Sequence, residues 1–217
     1  MTLNMLRKAV ATSAVSASID GGAHDVDREL ARTRIDHIGN GLFISAVHAL
    51  EDTTQLDRLG IKSIVICAKH DIYFHNRCED GLYLGDRLSR YAIYVLGADD
   101  NEHQDMELLW DKSADFISDR LTHGGVVVHC QMGISRASST CLAYLMKKES
   151  LTLDAAFERV YKVRGIIQPN VGFLRQLRNL EDNKKNQVEL KPQTTVDTPA
   201  DDMIARLEAL MVDSDLE

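Results

Sequence analysis

The stretch Val126-Val-Val-His129-Cys130-Gln-Met-Gly133-Ile-Ser135-Arg136 decides the fold, and Ala137-Ser-Ser-Thr-Cys-Leu-Ala-Tyr-Leu-Met follows it directly. The β-branched run predicts a buried strand that ends at Cys130. A short loop with one glycine then turns the chain, and the alanine- and leucine-rich segment predicts a helix that begins at Arg136. A strand, a loop and a helix N-terminus are therefore expected at the centre of the molecule.

The loop between this strand and this helix has the composition of an anion-binding site. Successive backbone N–H groups at a helix start point inward, and the helix dipole adds roughly half a positive charge. Arg136 adds a planar fork that can clamp two phosphate oxygens. Cysteines in such a field have a pKa of roughly 3.5–7.5, so we expect Cys130 to be a thiolate. A lone buried cysteine is more often structural, but the spacing of Cys130, Gly133 and Arg136 favours chemistry.

The pattern His129-Cys130-x-x-Gly133-x-Ser135-Arg136 resembles the active-site loop of the cysteine-based protein tyrosine phosphatases, specifically their dual-specificity branch. The resemblance extends over about residues 35–183 and includes Pro169-Asn-Val-Gly172-Phe, a scaffold match to which we assign no chemistry. It implies an α/β fold with a mostly parallel or mixed central sheet of about five strands, flanked by helices. The phosphatase loop would lie between a central strand and a helix N-terminus.

The resemblance also implies a function and a set of roles. The chain would hydrolyse phosphotyrosine and phosphoserine or phosphothreonine in proteins through a phosphocysteine intermediate, as a single-domain, atypical member. Cys130 would attack phosphorus, and His129 would orient the loop by hydrogen bonding. No metal or cofactor is needed, because the loop supplies the positive potential. The substrate-binding residues would be Gln131, Met132, Gly133, Ile134, Ser135 and Arg136.

The reaction also needs an acid that protonates the leaving oxygen, which contributes roughly 10²–10⁴-fold. The acidic turn Gly97–Asp105 follows a predicted strand about thirty residues before Cys130. Aligning Ala114-Asp-Phe-Ile with the corresponding helix of the family places the acid at Asp100. Asp99 is the alternative. Both could instead simply initiate the next helix, since acidic residues favour helix starts.

One position departs from the family pattern. Most members have serine or threonine directly after the arginine, where the hydroxyl helps the thiolate to leave in the second step. This chain has Ala137 there. Ser138 follows, but at a helix start it should point elsewhere, so we predict slow hydrolysis of the intermediate.

Composition limits the alternatives. The chain has 217 residues, 44% hydrophobic and 27% charged, with a formal net charge of −8, which argues against nucleic acid or an anionic membrane as a general partner. No apolar run approaches the roughly 20 residues that span a bilayer.

The four cysteines have neither zinc nor disulfide-scaffold spacing, and a reduced Cys130 fits a reducing compartment. We predict a cytoplasmic protein, with the nucleus and the mitochondrion as alternatives.

We predict three parts of the chain: a flexible tail over 1–34, a catalytic domain over 35–183, and a polar tail over 184–217. The last tail carries an amphipathic segment, Asp202–Val212, that either docks on the domain or binds a partner. Within the domain, the pattern predicts strands at 42–45, 61–68 and 90–96 and the central strand from 126. Helices are predicted at 46–59, 106–121, 137–148, 152–164 and 171–183.

Residues 69–90 are predicted to be irregular. Their His70, Asp71, His75 and Cys78 could suggest a metal site, but the spacing favours a solvated loop. Arg87 and Arg90 are either ordinary surface charges or contacts for an acidic substrate.

Two other functions compete with the phosphatase. A phosphopeptide-binding or scaffold module is the first, and Ala137 keeps it open. An RNA 5′-triphosphatase is the second, but it should show a basic groove, which the net charge of −8 disfavours. The loop positions Gln131, Met132 and Ile134 are uncharged, whereas phosphoinositide phosphatases of the superfamily that this chain resembles tend to have lysines there. The resemblance therefore favours a phosphoprotein over an inositol lipid.

Overall fold

A computed structural model describes residues 29–69 and 84–189 of the chain. The chain divides into two compact units, Met1–Asp182 and Asn183–Glu217, and the strands within the described residues belong to the first. The cluster from His70 to Cys78 and the amphipathic segment Asp202–Val212 lie outside the described residues, so the hypotheses on them stay predictions.

The described strands form one five-stranded sheet. Their bounds are Ile35–Gly39 (β1), Leu42–Ala46 (β2), Ile61–Ile66 (β3), Ala92–Val95 (β4) and Gly125–Cys130 (β5). The strand order is β1-β2-β5-β3-β4. β2, β5, β3 and β4 run parallel to one another, and β1 pairs antiparallel with β2. The predicted mixed α/β sheet with a central phosphate loop is confirmed.

β5 is central because its sequence tolerates burial on both faces. All six of its residues are buried, as expected for a valine-rich parallel strand that has neighbours on either side. Ala46 of β2 lies opposite Cys130, and Ile66 of β3 lies opposite His129. The carboxyl ends of three parallel strands therefore meet at Cys130, the place where α/β sheets bind ligands.

Helices cover both faces of the sheet. One core forms around Val126 and Val128, and the other forms around Val127, because successive strand residues point to opposite faces. The helices are Thr53–Arg58 (α1), Leu84–Leu88 (α2), Glu107–Arg120 (α3), Arg136–Lys148 (α4), Leu153–Val163 (α5) and Val171–Glu189 (α6), and Val47–Leu50 forms a 3₁₀ turn.

No strand was predicted at β1, and α6 continues to Glu189, past the predicted end at residue 183 and into the predicted tail. Three further local predictions differ from the structure. The single helix predicted at 46–59 is divided into the 3₁₀ turn and α1, because the Asp52 carboxylate caps α1 by accepting from the N–H groups of Thr54 and Gln55. The segment 69–90 contains α2 at its end. The tail predicted to reach residue 34 has a helical turn at 29–33, in which Ala31 is buried.

None of the helices within 29–69 and 84–189 is long and apolar enough to cross a bilayer.

Candidate active site

The loop of residues 130–136, called here the phosphate loop, connects β5 to α4. Cys130 closes the strand with 2% of its surface exposed, and α4 begins at Arg136. The backbone N–H of Gly133 donates to the Cys130 Sγ at 3.2 Å. The loop therefore wraps around the sulfur atom.

The carbonyl groups of the phosphate loop point away from its centre. Val47 N donates to the Gln131 carbonyl, and Arg164 donates to the next two carbonyls, those of Met132 and Gly133. Gln168 N donates to the Ile134 carbonyl, and Ser139 N donates to that of Ser135. Because a trans peptide is planar, its N–H points opposite to its C=O. The N–H groups of residues 132–136 therefore face the inside of the loop, the arrangement that binds an anion.

Gly133 is needed for this path. Its φ is +66°, in the left-handed region that favours glycine. A Cβ atom at this position would lie 2.5 Å from the Ser45 carbonyl oxygen and 2.7 Å from Arg164 Nη2. A side chain here would force the loop off its support.

Arg136 lies at the mouth of the loop. Its Nη1 donates to the Ala98 carbonyl at 3.3 Å, and its Nε is 3.4 Å from Asp100 Oδ2. The side chain is 11% exposed, so its charge acts in a partly desolvated setting, where it is stronger than in water. The guanidinium joins the phosphate loop to the segment Gly97–Asp105, called here the acid loop.

The two candidate acids face different ways. Asp100 Oδ1 accepts hydrogen bonds from the Ser135 hydroxyl at 2.7 Å and from Asn170 Nδ2 at 3.0 Å. Asp99 instead forms an exposed ion pair with Lys69 at 2.7 Å. Of the two, Asp100 is the carboxylate that the structure brings to the phosphate loop.

The start of α6 carries the acid loop. Gln176 accepts from Met106 N and donates to the Gln104 carbonyl, both at 2.8 Å. A Cβ atom on Gly172 would lie 2.5 Å from the Glu102 Cα and would overlap its carbonyl oxygen. The sequence predicts no chemistry for this segment, because nothing in the sequence indicates that it touches a loop about seventy residues away.

Burial sets the protonation of the groups beneath the loop. Desolvation lowers the pKa of His129 to about 4, although a hydrogen bond with the Cys130 backbone opposes the shift. His129 is therefore neutral at pH 7, which agrees with an orienting role rather than with acid catalysis. Desolvation also raises the pKa of the Cys67 and Cys141 thiols, which keeps both in the uncharged form.

The residue after Arg136 is the buried Ala137. The hydroxyl of Ser138 donates to the carbonyls of Ile134 and Ser135, at 2.5 and 2.9 Å. Ser138 therefore does not replace the missing hydroxyl, as the sequence predicted.

Arg87 and Arg90 support the scaffold. Arg87 Nη1 donates to the Glu51 carbonyl at 2.7 Å, and Arg90 pairs with Asp57 at 2.6 Å. Across the described part of the chain, no group of three or more His, Cys, Asp or Glu side chains could hold a metal ion.

The family model for the catalytic domain of dual specificity phosphatases matches residues 42–183. The chain belongs to this family. Its human relative dual specificity protein phosphatase 13B is 36% identical over 149 residues, which cover 68% of this chain and 72% of the relative. Human dual specificity protein phosphatase 1 is 33% identical over 142 residues, 64% of this chain but only 35% of that protein.

A solved structure gives the same fold. The human tyrosine phosphatase-like serine/threonine/tyrosine-interacting protein aligns with a TM-score of 0.61 at 26% identity, over 71% of this chain and 99% of that one. The membership confirms the resemblance that the phosphate loop suggested. It also confirms, at the level of the family, a cysteine-based protein phosphatase of the hydrolase class.

Proposed function

We propose that this chain is a cysteine-dependent protein phosphatase that hydrolyses phosphotyrosine and phosphoserine or phosphothreonine. One observation carries the proposal: the carbonyls of residues 131–135 all turn outward around the Cys130 sulfur. This arrangement leaves a ring of N–H groups for a phosphate dianion directly in front of a nucleophile. Asp100 and Arg136 stand at the mouth of the same ring.

In the first step, the Cys130 thiolate attacks phosphorus in line. An S–P bond forms while the P–O bond to the substrate side chain breaks. Arg136 and the inward N–H groups hold the equatorial oxygens as their charge develops. Asp100, in its protonated form, gives its proton to the leaving oxygen, and the dephosphorylated protein departs.

In the second step, water attacks the phosphocysteine. Asp100, now a carboxylate, takes a proton from the water while a P–O bond forms and the S–P bond breaks. Inorganic phosphate leaves, and Cys130 returns as a thiolate. Ala137 offers no hydroxyl to the departing sulfur, and Ser138 is bonded to backbone carbonyls, so this step is the slow one.

The substrate class follows from the loop side chains. Gln131, Met132 and Ile134 are uncharged, whereas an inositol phosphate would call for cations at these positions. This supports a phosphorylated protein as the substrate. Because Cys130 has to remain reduced, we propose a cytoplasmic location, with the nucleus and the mitochondrion as alternatives.

Steady-state hydrolysis of p-nitrophenyl phosphate, with EDTA present, tests the proposal. The intact chain should be active, and Cys130→Ser should be inactive while it stays folded. Cys141→Ser is the matched control, because it removes a buried thiol outside the phosphate loop. Inactivity of the folded intact chain would reject the enzyme.

A phosphopeptide-binding module is the second candidate, and Ala137 is the observation that favours it. One protein with the same fold is named a tyrosine phosphatase-like serine/threonine/tyrosine-interacting protein. Saturable phosphopeptide binding without turnover would support this candidate over the enzyme.

A further inference from the structure

Arg164, just beyond the last turn of α5, is fully buried and donates to four acceptors. Its Nε bonds to the Gly133 carbonyl at 2.9 Å, and its Nη2 bonds to the Met132 carbonyl at 2.9 Å. Its Nη1 pairs with Asp36 Oδ2 at 2.7 Å, and Nη2 also reaches the Ala31 carbonyl at 3.0 Å. The guanidinium therefore joins the phosphate loop to the N-terminal part of the domain.

The two loop contacts fix the orientation of two peptide groups. In the peptide between Met132 and Gly133, the carbonyl accepts a hydrogen bond from Arg164. The N–H of the same peptide donates to the Cys130 sulfur at 3.2 Å. The next peptide has its carbonyl on Arg164, which turns the N–H of Ile134 toward the inside of the loop. A rotation of either peptide would remove an N–H group from the anion site.

The charge of Arg164 is balanced within the N-terminal segment. Asp36 is only 7% exposed, so each charge of the pair depends on the other. Arg34 Nε holds the second oxygen of Asp36 at 2.5 Å. Ala31, Arg34 and Asp36 all precede residue 42, where the match to the family model begins.

We propose that Arg164 is a positioning residue for the phosphate loop, and that the segment 31–36 holds it in place through Asp36. The inference rests on the proposed function of that loop. Arg164 does not touch the phosphate; it acts through the carbonyls of Met132 and Gly133. The N-terminal segment thereby becomes part of the structure that keeps the anion site in shape.

Arg164→Lys is the variant that tests this role. Lysine keeps the positive charge beside Asp36 but has one nitrogen in place of a planar fork, so it cannot hold both loop carbonyls and Asp36 together. We expect kcat/KM for p-nitrophenyl phosphate to fall on the order of 10- to 100-fold, as for other small misplacements of catalytic groups. The Kd for inorganic tungstate, a tetrahedral oxyanion, should rise by a similar factor.

Arg159→Lys is the matched control. Arg159 also projects from α5, donates to the Ile38 carbonyl of β1 and pairs with Glu149, without contact to the phosphate loop. Arg159→Lys should change the thermal unfolding temperature without changing the tungstate Kd or kcat/KM.

Asp36→Asn is a second test variant. It keeps the shape of the side chain but removes the negative charge beside Arg164, so it should weaken tungstate binding, as Arg164→Lys does.

The measurement uses the full chain: tungstate binding by calorimetry, kinetics, and unfolding by circular dichroism. A folded Arg164→Lys with wild-type tungstate affinity and kcat/KM would overturn the inference, and if that variant does not fold, Asp36→Asn decides in the same way. A wild type that binds tungstate but hydrolyses nothing would reject the proposed function while the affinity comparison still tests Arg164. A wild type that does not bind tungstate would overturn the inference, since no anion site would exist to be positioned.

Discussion

The hydroxyl of Ser135 donates a 2.7 Å hydrogen bond to the carboxylate of Asp100, which joins the phosphate loop to the acid loop. Asn170 contacts both partners, because its N–H donates to the Ser135 hydroxyl and its Nδ2 donates to Asp100. Three segments that are far apart in the sequence thus meet at the candidate acid. The carboxyl group is held in place before a substrate arrives, a form of preorganisation that lowers the cost of reaching the transition state.

Asp100→Asn should lower kcat/KM, which reports the first step, by roughly 10²–10⁴-fold with phenyl phosphate, whose leaving group needs a proton. The loss should be much smaller with p-nitrophenyl phosphate, because nitrophenolate leaves without protonation. Steady-state kinetics with the two substrates measure the difference. Asp99→Asn is the control and should behave as the wild type, because Asp99 pairs with Lys69 at the surface. If activity is lost in Asp99→Asn but not in Asp100→Asn, the acid is Asp99.

Gly172→Ala should displace the acid loop. The added methyl group would overlap the Glu102 backbone, and a shift of about 1 Å can cost on the order of 10²-fold in rate. We expect kcat for phenyl phosphate to fall while the tungstate Kd stays near the wild-type value. Gly165→Ala is the control, since its Cβ would approach only the Tyr161 carbonyl oxygen, at 3.9 Å. Wild-type kcat in Gly172→Ala would contradict the role given to the start of α6.

Ala137→Ser should accelerate the second step. A hydroxyl that donates to the departing thiolate is worth about 1.5 kcal/mol as a hydrogen bond to a charged group, or roughly tenfold in rate. In stopped-flow experiments, the parent should release a burst of nitrophenolate and the variant should show a smaller burst with a faster steady state. Ala143→Ser, farther along α4, serves as the control. A parent without a burst, together with unchanged turnover in Ala137→Ser, would show that the missing hydroxyl does not limit the rate.

His129 should make the protein less stable in mild acid. Its pKa is about 4 in the folded protein and 6.5 without the fold, so the unfolded chain binds a proton first as the pH falls from 6.5 toward 4. The contribution of the neutral His129 to the free energy of unfolding is therefore fully present above pH 6.5 and is lost as the pH falls from 6.5 toward 4. Between pH 7 and pH 5 the contribution of this residue should fall by about 2 kcal/mol, at 1.36 kcal/mol for each pKa unit.

Urea unfolding at pH 7 and pH 5 measures this change. His129→Asn should show a smaller loss of stability than the wild type over that interval. His103→Asn removes an exposed histidine and should leave the loss unchanged. Equal losses in the wild type and His129→Asn would contradict a neutral, buried His129.

The features that could be predicted from the sequence are those that depend on residues close together in the chain. The valines, Cys130, Gly133 and Arg136 follow one another in the chain, so their spacing alone gave β5, the phosphate loop and α4. The break before α1 could have been found, because Asp52-Thr53-Thr54 is a recognisable helix cap. β1 is short and pairs only along one edge, so its pattern was too weak to separate it from the adjacent turn.

The contacts between distant residues could not be predicted in this way. Arg164 lies 128 residues from Asp36 and 31 residues from Gly133, and no periodicity links these positions. As a charged residue after a helix it would normally be expected at the surface. For the same reason the sequence could not decide between Asp99 and Asp100, because the answer depends on which carboxylate faces Ser135 and Asn170.

In the proposed mechanism, Cys130 carries the phosphoryl group during hydrolysis. This is tested by rapid quenching of the full chain in alkaline detergent during turnover of p-nitrophenyl phosphate, followed by peptide mass spectrometry at neutral or higher pH. We expect one phosphoryl group on the peptide that contains Cys130, and none after Cys130→Ser. Hydrolysis that continues in Cys130→Ser, or a phosphoryl group on a different residue, would contradict it.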